Sequence, residues 1–218
     1  WVEPESDVND PNLKRTNPHP RKADPSMFDL SGMRKAGKRV ANEIIEVYNE
    51  GLDAPQADPE LVHEVHNMQL PLRRTTFAEV AAARRRIHDY LAEKPGDVDF
   101  NDAAALQVDL GILRREELQE KMDILDTESH ILRLGTVAFA TNPFELFLDF
   151  GNQIKARSYA EQTFLVQLAG GSEGYLPTEK AEKGGHYSAF LASGLVGHAG
   201  GEQLVRETLM NINKLFAE

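Results

Sequence analysis

The chain has 218 residues, a formal net charge of -11, no cysteine, and hydrophobic residues at 41%. This balance suits a globular protein with enough interior to fold without staples, and the absence of cysteine excludes disulfides, thiolate metal sites and cysteine nucleophiles. The acidic excess repels phosphate backbones, so no nucleic-acid partner is expected, and no apolar run approaches the roughly 20 residues that span a bilayer.

The sequence opens on Trp1 with no signal-peptide pattern, which reads as a processed or incomplete end. Residues 1–30, rich in Asp, Asn and Pro, carry no periodicity and predict an extended or disordered segment. From Ser31, Met33, Ala36, Val40, Ala41, Ile44 and Tyr48 recur at helical steps, and Gly51 sits where a helix commonly ends. Leu61 to Leu72 predicts a strand. Thr76 and Glu79 form a capping-box pattern before a helix that stops at Pro95-Gly96. The run Arg84-Arg85-Arg86 lies in that helix and reads as a solvated face. Residues 97–101 predict a loop, and Asp102 to Asp126 a helical pair broken near Gly111.

The last third changes character. Ile131–Leu134 and Val137–Ala140 predict short strands around Gly135-Thr136. Pro143 predicts a helix start, with Leu146, Phe147, Phe150 and Ile154 on one face. Thr163–Leu168 predicts a buried strand, a Gly-rich loop follows through Tyr175, and a final helix runs from about Gly200 to Phe216. The predicted fold class is therefore α/β, a mixed sheet flanked by helices with a βαβ unit at about 137–168. There is no internal repeat.

Strands joined through a helix are parallel with a right-handed crossover, and ligands of such units bind beyond the carboxyl ends of the strands. Glu145 follows the first strand, in the expected first helical turn, and Tyr175 follows the second, so both fall at one sheet edge. Each residue has an ordinary explanation as well. A Glu in a first turn is favoured by the helix dipole alone, and a loop Tyr is commonly a packed ring with a bonded hydroxyl. The same holds for Tyr187.

Among the histidines, His63-Glu64-Val65-His66 lacks the spacing that sets two imidazoles on one helical face, and on a strand positions 63 and 66 point to opposite sides. His130, before a strand, and His198, in a Gly-rich turn, read as surface groups, and His186 as a structural or supporting neighbour of Tyr187. Neither a Gly-x-Ser-x-Gly elbow nor a Gly-Lys-Ser/Thr phosphate loop is present.

The runs Asn142-Pro143-Phe144-Glu145, Gly174-Tyr175-Leu176-Pro177-Thr178 and Gly184-Gly185-His186-Tyr187-Ser188 together resemble the neutral/alkaline (non-lysosomal) ceramidase family, especially its short bacterial relatives. The resemblance is clearest over residues 131–216. It implies that 31–218 form the C-terminal part of a ceramidase-like catalytic domain, with Glu145 and Tyr175 as zinc ligands and Tyr187 as a catalytic group near the scissile amide. It also implies two zinc histidines and a serine from upstream sequence that this chain does not contain, an N-acyl lipid or related substrate, and a secreted or periplasmic setting. The implied chemistry is attack of zinc-activated water on an N-acyl carbonyl. Phe144, Glu179-Lys180-Ala181 and Ser188 depart from the family pattern, which leaves open a more polar amide or ester substrate. A non-catalytic binding or scaffold protein of the same fold is the other reading.

Overall fold

The computed structural model describes residues 29–51, 57–94 and 96–217, and divides into two units, Trp1–Ala57 and Asp58–Glu218. Residues 1–28 of the expected extended segment lie outside the described residues. In the first unit, helix α1 (Asp29–Glu50) carries the anticipated apolar stripe, with Met33, Val40, Ile44 and Tyr48 exposed. It stops before Gly51, which does not adopt a positive φ.

The second unit is built on a four-stranded mixed sheet, and the expected fold class is the one observed. Its strands are β1 (Leu61–Pro71), β2 (Ile124–Leu134), β3 (Val137–Thr141) and β5 (Gln162–Val166), in the order β1-β2-β3-β5. β1 and β2 pair antiparallel from Leu61↔Leu134 to Pro71↔Ile124, β2 and β3 form a hairpin, and β3 and β5 are parallel. The connection from β3 to β5 runs through helix α5 (Leu148–Arg157), which completes the βαβ unit. β2 is longer than its apolar end suggests. Residues 124–126 are strand rather than helix tail, because the long β1 supplies a backbone partner along the whole length of β2.

One face of the sheet is the core. Met68, Leu70, Ile131, Ala138 and Ala140 pack beneath α5 and, past the short helix α6 (Glu179–Gly184), the last helix, α7 (His198–Phe216); the two long helices contribute Phe150, Ile154, Leu204, Val205 and Ile212. Gly201 lets α7 sit close, since a Cβ there would lie 2.4 Å from the ring of Phe150.

A helical layer links β1 to β2. In α2 (Phe77–Glu93), Thr76 and Glu79 make the expected reciprocal cap. Residues 97–101 hold a second cap: Asp99 accepts from the amides of Asn101 and Asp102 and opens α3 (Phe100–Ala105). Asp102 is buried, paired with Lys94 and bonded by the Tyr90 hydroxyl at 3.0 Å. The break before α4 (Gln107–Gln119) falls at Leu106, not Gly111. Gly111 is instead a contact point inside α4, where a Cβ would lie 2.2 Å from that of Ala192. The basic run is also more than a solvated face, because Arg84 and Arg86 reach Glu116 and Asp109 and tie α2 to α4. Asp109 in turn raises the pKa of Arg86.

Candidate functional site

The segment after β3 does not start a helix at Pro143. Asn142 is buried and its Oδ1 accepts from the amide of Phe144 at 3.1 Å, while Phe144 is fully buried in the core. Glu145 and Leu146 then form a two-residue strand, β4, parallel to β6 (Tyr175–Leu176), and α5 begins only at Leu148. Glu145 is therefore not in a helical first turn. The apolar spacing of Leu146, Phe147 and Phe150 mimics a helix, but the Glu145 amide donates to Gly174 at 2.9 Å and the Leu146 amide to Gln167 Oε1 at 2.7 Å. Those bonds satisfy the backbone in an extended form.

In this arrangement Glu145 and Tyr175 are direct register partners. Side chains opposite each other on neighbouring strands share a face, and hydrogen bonding to the Glu145 carboxylate, with burial and charge adding to it, pushes the Tyr175 phenol up to about 12. The phenol is thus held in its neutral form at ordinary pH.

Tyr187 lies in a short helical turn, Tyr187–Ala189, and its exposed ring meets Tyr175 edge-on at 5.6 Å between centroids. Glu145, Tyr175 and Tyr187 line one cavity of about 310 Å³, together with Gln107, Val108 and Phe190. The structure therefore brings all three candidate residues together. His186 carries a φ of 80° and an exposed side chain, and it is not among the cavity-lining residues.

Two glycines pack against the backbone at Tyr175. Gly174 and Gly194 form an antiparallel bridge, and a Cβ on Gly194 would stand 2.0 Å from the Tyr175 carbonyl oxygen. The loop carrying Gly194 is held from below by Arg115 of α4. This guanidinium is buried and donates to the carbonyls of Arg73, Leu191, Gly194 and Leu195 at 2.6–3.2 Å. Burial and the nearby Arg73 charge lower its pKa, although it stays a cation. Sequence offers no signal for this role, because Arg114-Arg115 in a helix reads as surface charge. Gln107, Val108 and Phe190 are equally silent in sequence, since their place in the cavity comes from the packing of α4 against the 187–193 turns.

The remaining histidines lie elsewhere. His63 and His66 do project to opposite faces of β1, with His66 3.0 Å from Glu64. His130 lies within β2 rather than before it, and it stacks on His63 with ring nitrogens 2.9 Å apart. His198 is not in a turn. It opens α7, and its amide and Nδ1 both contact Glu182, at 2.6 and 2.8 Å. Among the described residues no group of three or more His, Asp or Glu side chains could hold a metal ion. Glu145 and Tyr175 offer adjacent oxygen donors, which by themselves fit only part of a metal site. No described helix is long and apolar enough to cross a membrane.

No protein-family profile and no curated protein matches the chain. Solved structures share its fold, two of them described as ceramidases. One, described as ceramidase complexed with C2, aligns with a TM-score of 0.52 and 10% identity over 87% of this chain and 35% of its own. The other, neutral ceramidase from Pseudomonas aeruginosa, aligns with a TM-score of 0.54 and 15% identity over 88% of this chain and 34% of its own. The chain spans about a third of the length of these structures, and at these identities the likeness is one of fold: this chain has the fold of part of a bacterial neutral ceramidase.

Proposed function

We propose that this chain is the C-terminal part of the catalytic domain of a zinc-dependent amide hydrolase acting on an N-acyl, ceramide-like bond. The observation that carries the reading is the Glu145–Tyr175 register pair, with Tyr187 set against Tyr175 at the mouth of one cavity. Glu145 would hold the cation with its carboxylate and Tyr175 with its phenol oxygen, and the two imidazoles would come from the upstream part of the same polypeptide. Zinc bound there would supply an acidified water and polarise a carbonyl. Tyr175 must give up, or share, the proton of its phenol. Tyr187, exposed beside Tyr175, would donate to the carbonyl oxygen as negative charge builds there. Val108 and Phe190 supply the apolar wall that an acyl chain would use.

A non-catalytic scaffold of the same fold is the second reading. It is favoured by the two-donor set, because a hydrolytic zinc normally has three protein ligands. The test uses the uninterrupted longer polypeptide, with zinc occupancy and turnover on a short N-acyl substrate. Glu145→Gln should lose zinc and turnover together. Tyr187→Phe should keep zinc and lose about 10²–10³ in turnover, the effect of one missing oxyanion donor. Full zinc and near wild-type turnover in Glu145→Gln would make the carboxylate structural and leave the scaffold reading standing.

A further inference from the structure

The chain enters the Tyr187 turn through two residues of positive φ, Gly185 at 75° and His186 at 80°. A glycine takes that conformation freely, but a histidine does so at a cost, and it persists where surrounding contacts hold the backbone there. Two side chains from outside the turn supply such contacts. The Ser193 hydroxyl donates to the Tyr187 carbonyl, and the Arg73 guanidinium donates to the Ala189 carbonyl at 2.7 Å.

Arg73 lies just past β1, where its own amide donates to Leu195 at 2.9 Å and Leu72 bridges to Val196. Its charge is felt by Arg115, which it repels, and by Glu79. Among the described residues, the carboxylate in ion-pair contact with it is Glu182 of α6, with Oε2 3.7 Å from Arg73 Nε. The same carboxylate fixes the start of α7. Its Oε1 accepts from the His198 amide at 2.6 Å, and its Oε2 contacts His198 Nδ1 at 2.8 Å. The Glu182 side chain is only 12% exposed, so solvent screens these contacts weakly. Position 197 leaves room for them, since a Cβ on Gly197 would stand 2.7 Å from Glu182 Oε1 and 3.1 Å from the Arg73 side chain. Neither Arg73 nor Glu182 nor His198 lines the cavity that holds Glu145, Tyr175 and Tyr187.

We propose that Glu182 is a positioning residue for Tyr187: through Arg73 it holds the 187–189 turn where the Tyr187 ring meets Tyr175, although it touches neither the cavity nor the candidate metal ligands. The proposal rests on the reading of Tyr187 as the group that donates to the substrate carbonyl. Tyr175 is fixed independently, by the pairing of β6 with β4. Loss of the Glu182 charge therefore frees the turn to shift while Tyr175 stays in place, and the 5.6 Å edge-on contact between the two rings changes.

A spectroscopic test needs no turnover. The chain has five tyrosines, so 3-fluorotyrosine labelling gives a small fluorine spectrum that single Tyr→Phe changes assign. Glu182→Gln keeps the shape and removes the charge, and Arg73→Lys keeps the charge and removes the planar fork. Each should shift or broaden the Tyr187 resonance and leave that of Tyr90, bonded to Asp102, in place. Lys183→Gln, an exposed change on the same short helix, should move neither. The functional test is a double-mutant cycle in the longer polypeptide, with a short N-acyl substrate. Glu182→Gln should lower kcat by roughly tenfold or more through misplacement alone, with zinc content unchanged. When Tyr187 is already Phe, the same change should cost less than about twofold, because the two residues then act as one unit. A Tyr187 resonance unmoved in both Glu182→Gln and Arg73→Lys would overturn the proposal, and so would an equal loss of kcat with and without the Tyr187 hydroxyl. Resonances that move in a polypeptide without turnover would defeat the hydrolase reading and leave the positioning standing. Turnover that depends on Tyr187 but not on Glu182 would defeat the positioning alone.

Discussion

Glu145 and Tyr175 face each other across two parallel strands of only two residues each, and the carboxylate pushes the phenol's pKa up to about 12. The neutral phenol is the form that the fold favours. The contact therefore contributes to stability at and below neutral pH, and the contribution fades as pH rises from the ordinary phenol range, about 10, toward the raised value. Phenolate absorbance of the metal-free protein should show a late step that disappears in Tyr175→Phe. In Glu145→Gln the amide is a weaker acceptor and carries no charge, so the late step should move down toward the ordinary range. A Tyr175 step already complete by the ordinary range would show that the two groups do not interact.

Arg115 is a positioning residue for this pair. It binds four carbonyls, three of them on the 191–195 loop, with no carboxylate among its bonded partners. Arg115→Met keeps much of the volume and leaves those carbonyls without donors, which should cost on the order of 3 kcal/mol. Arg115→Lys keeps the charge but loses the planar fork, so it should recover only part of the loss. Chemical denaturation measures the cost. The readout specific to positioning is the late Tyr175 absorbance step, which should shift in both variants, because Gly194 abuts the Tyr175 backbone. If Arg115→Met unfolds at the wild-type denaturant concentration, the carbonyl cluster is not a structural keystone.

Gly194 gives a sharper local test. A Cβ there would collide with the Tyr175 carbonyl, whereas one on Gly184 meets nothing within 4 Å. Gly194→Ala should destabilise by about 1–3 kcal/mol through overpacking and displace β6, which would alter the Tyr175–Glu145 contact. Gly184→Ala should show neither effect. Equal melting temperatures for the two variants would mean that the 194 loop yields without disturbing the site.

The sheet and its parallel unit were legible because Val137–Ala140 and Thr163–Leu168 are short apolar runs bounded by Gly and polar residues, and 143–157 has helical spacing between them. The convergence of Glu145, Tyr175 and Tyr187 was legible from topology and from motif spacing. The local structure at Glu145 was not. Pro143 is as acceptable at a helix start as in an extended turn, and the partner that decides, Gly174–Leu176, lies some thirty residues away. The same limit hid the full length of β2, whose polar residues 126–128 are strand because β1 pairs with them. It also hid Arg115, whose buried carbonyl partners come from a distant turn.

Zinc binding tests the site from the other side. The 218-residue chain should bind zinc weakly, because one carboxylate and one phenol provide two oxygen donors where a stable site uses three or four ligands, imidazole among them. Whatever affinity exists should rise with pH. Tyr175 holds its proton more firmly than an ordinary phenol, so the cation competes with that proton for the oxygen, and binding should release it. Calorimetry in two buffers of different ionisation enthalpy would measure the protons released, and elemental analysis after dialysis would measure retention. Tyr175→Phe should abolish the proton release and leave only the residual affinity of Glu145. Tight stoichiometric zinc retained by the chain alone would contradict this account and turn attention to the histidines, beginning with His186 beside Tyr187 and His63 against His130. Weak, proton-releasing binding that tightens in a longer polypeptide would instead place the further ligands outside this chain.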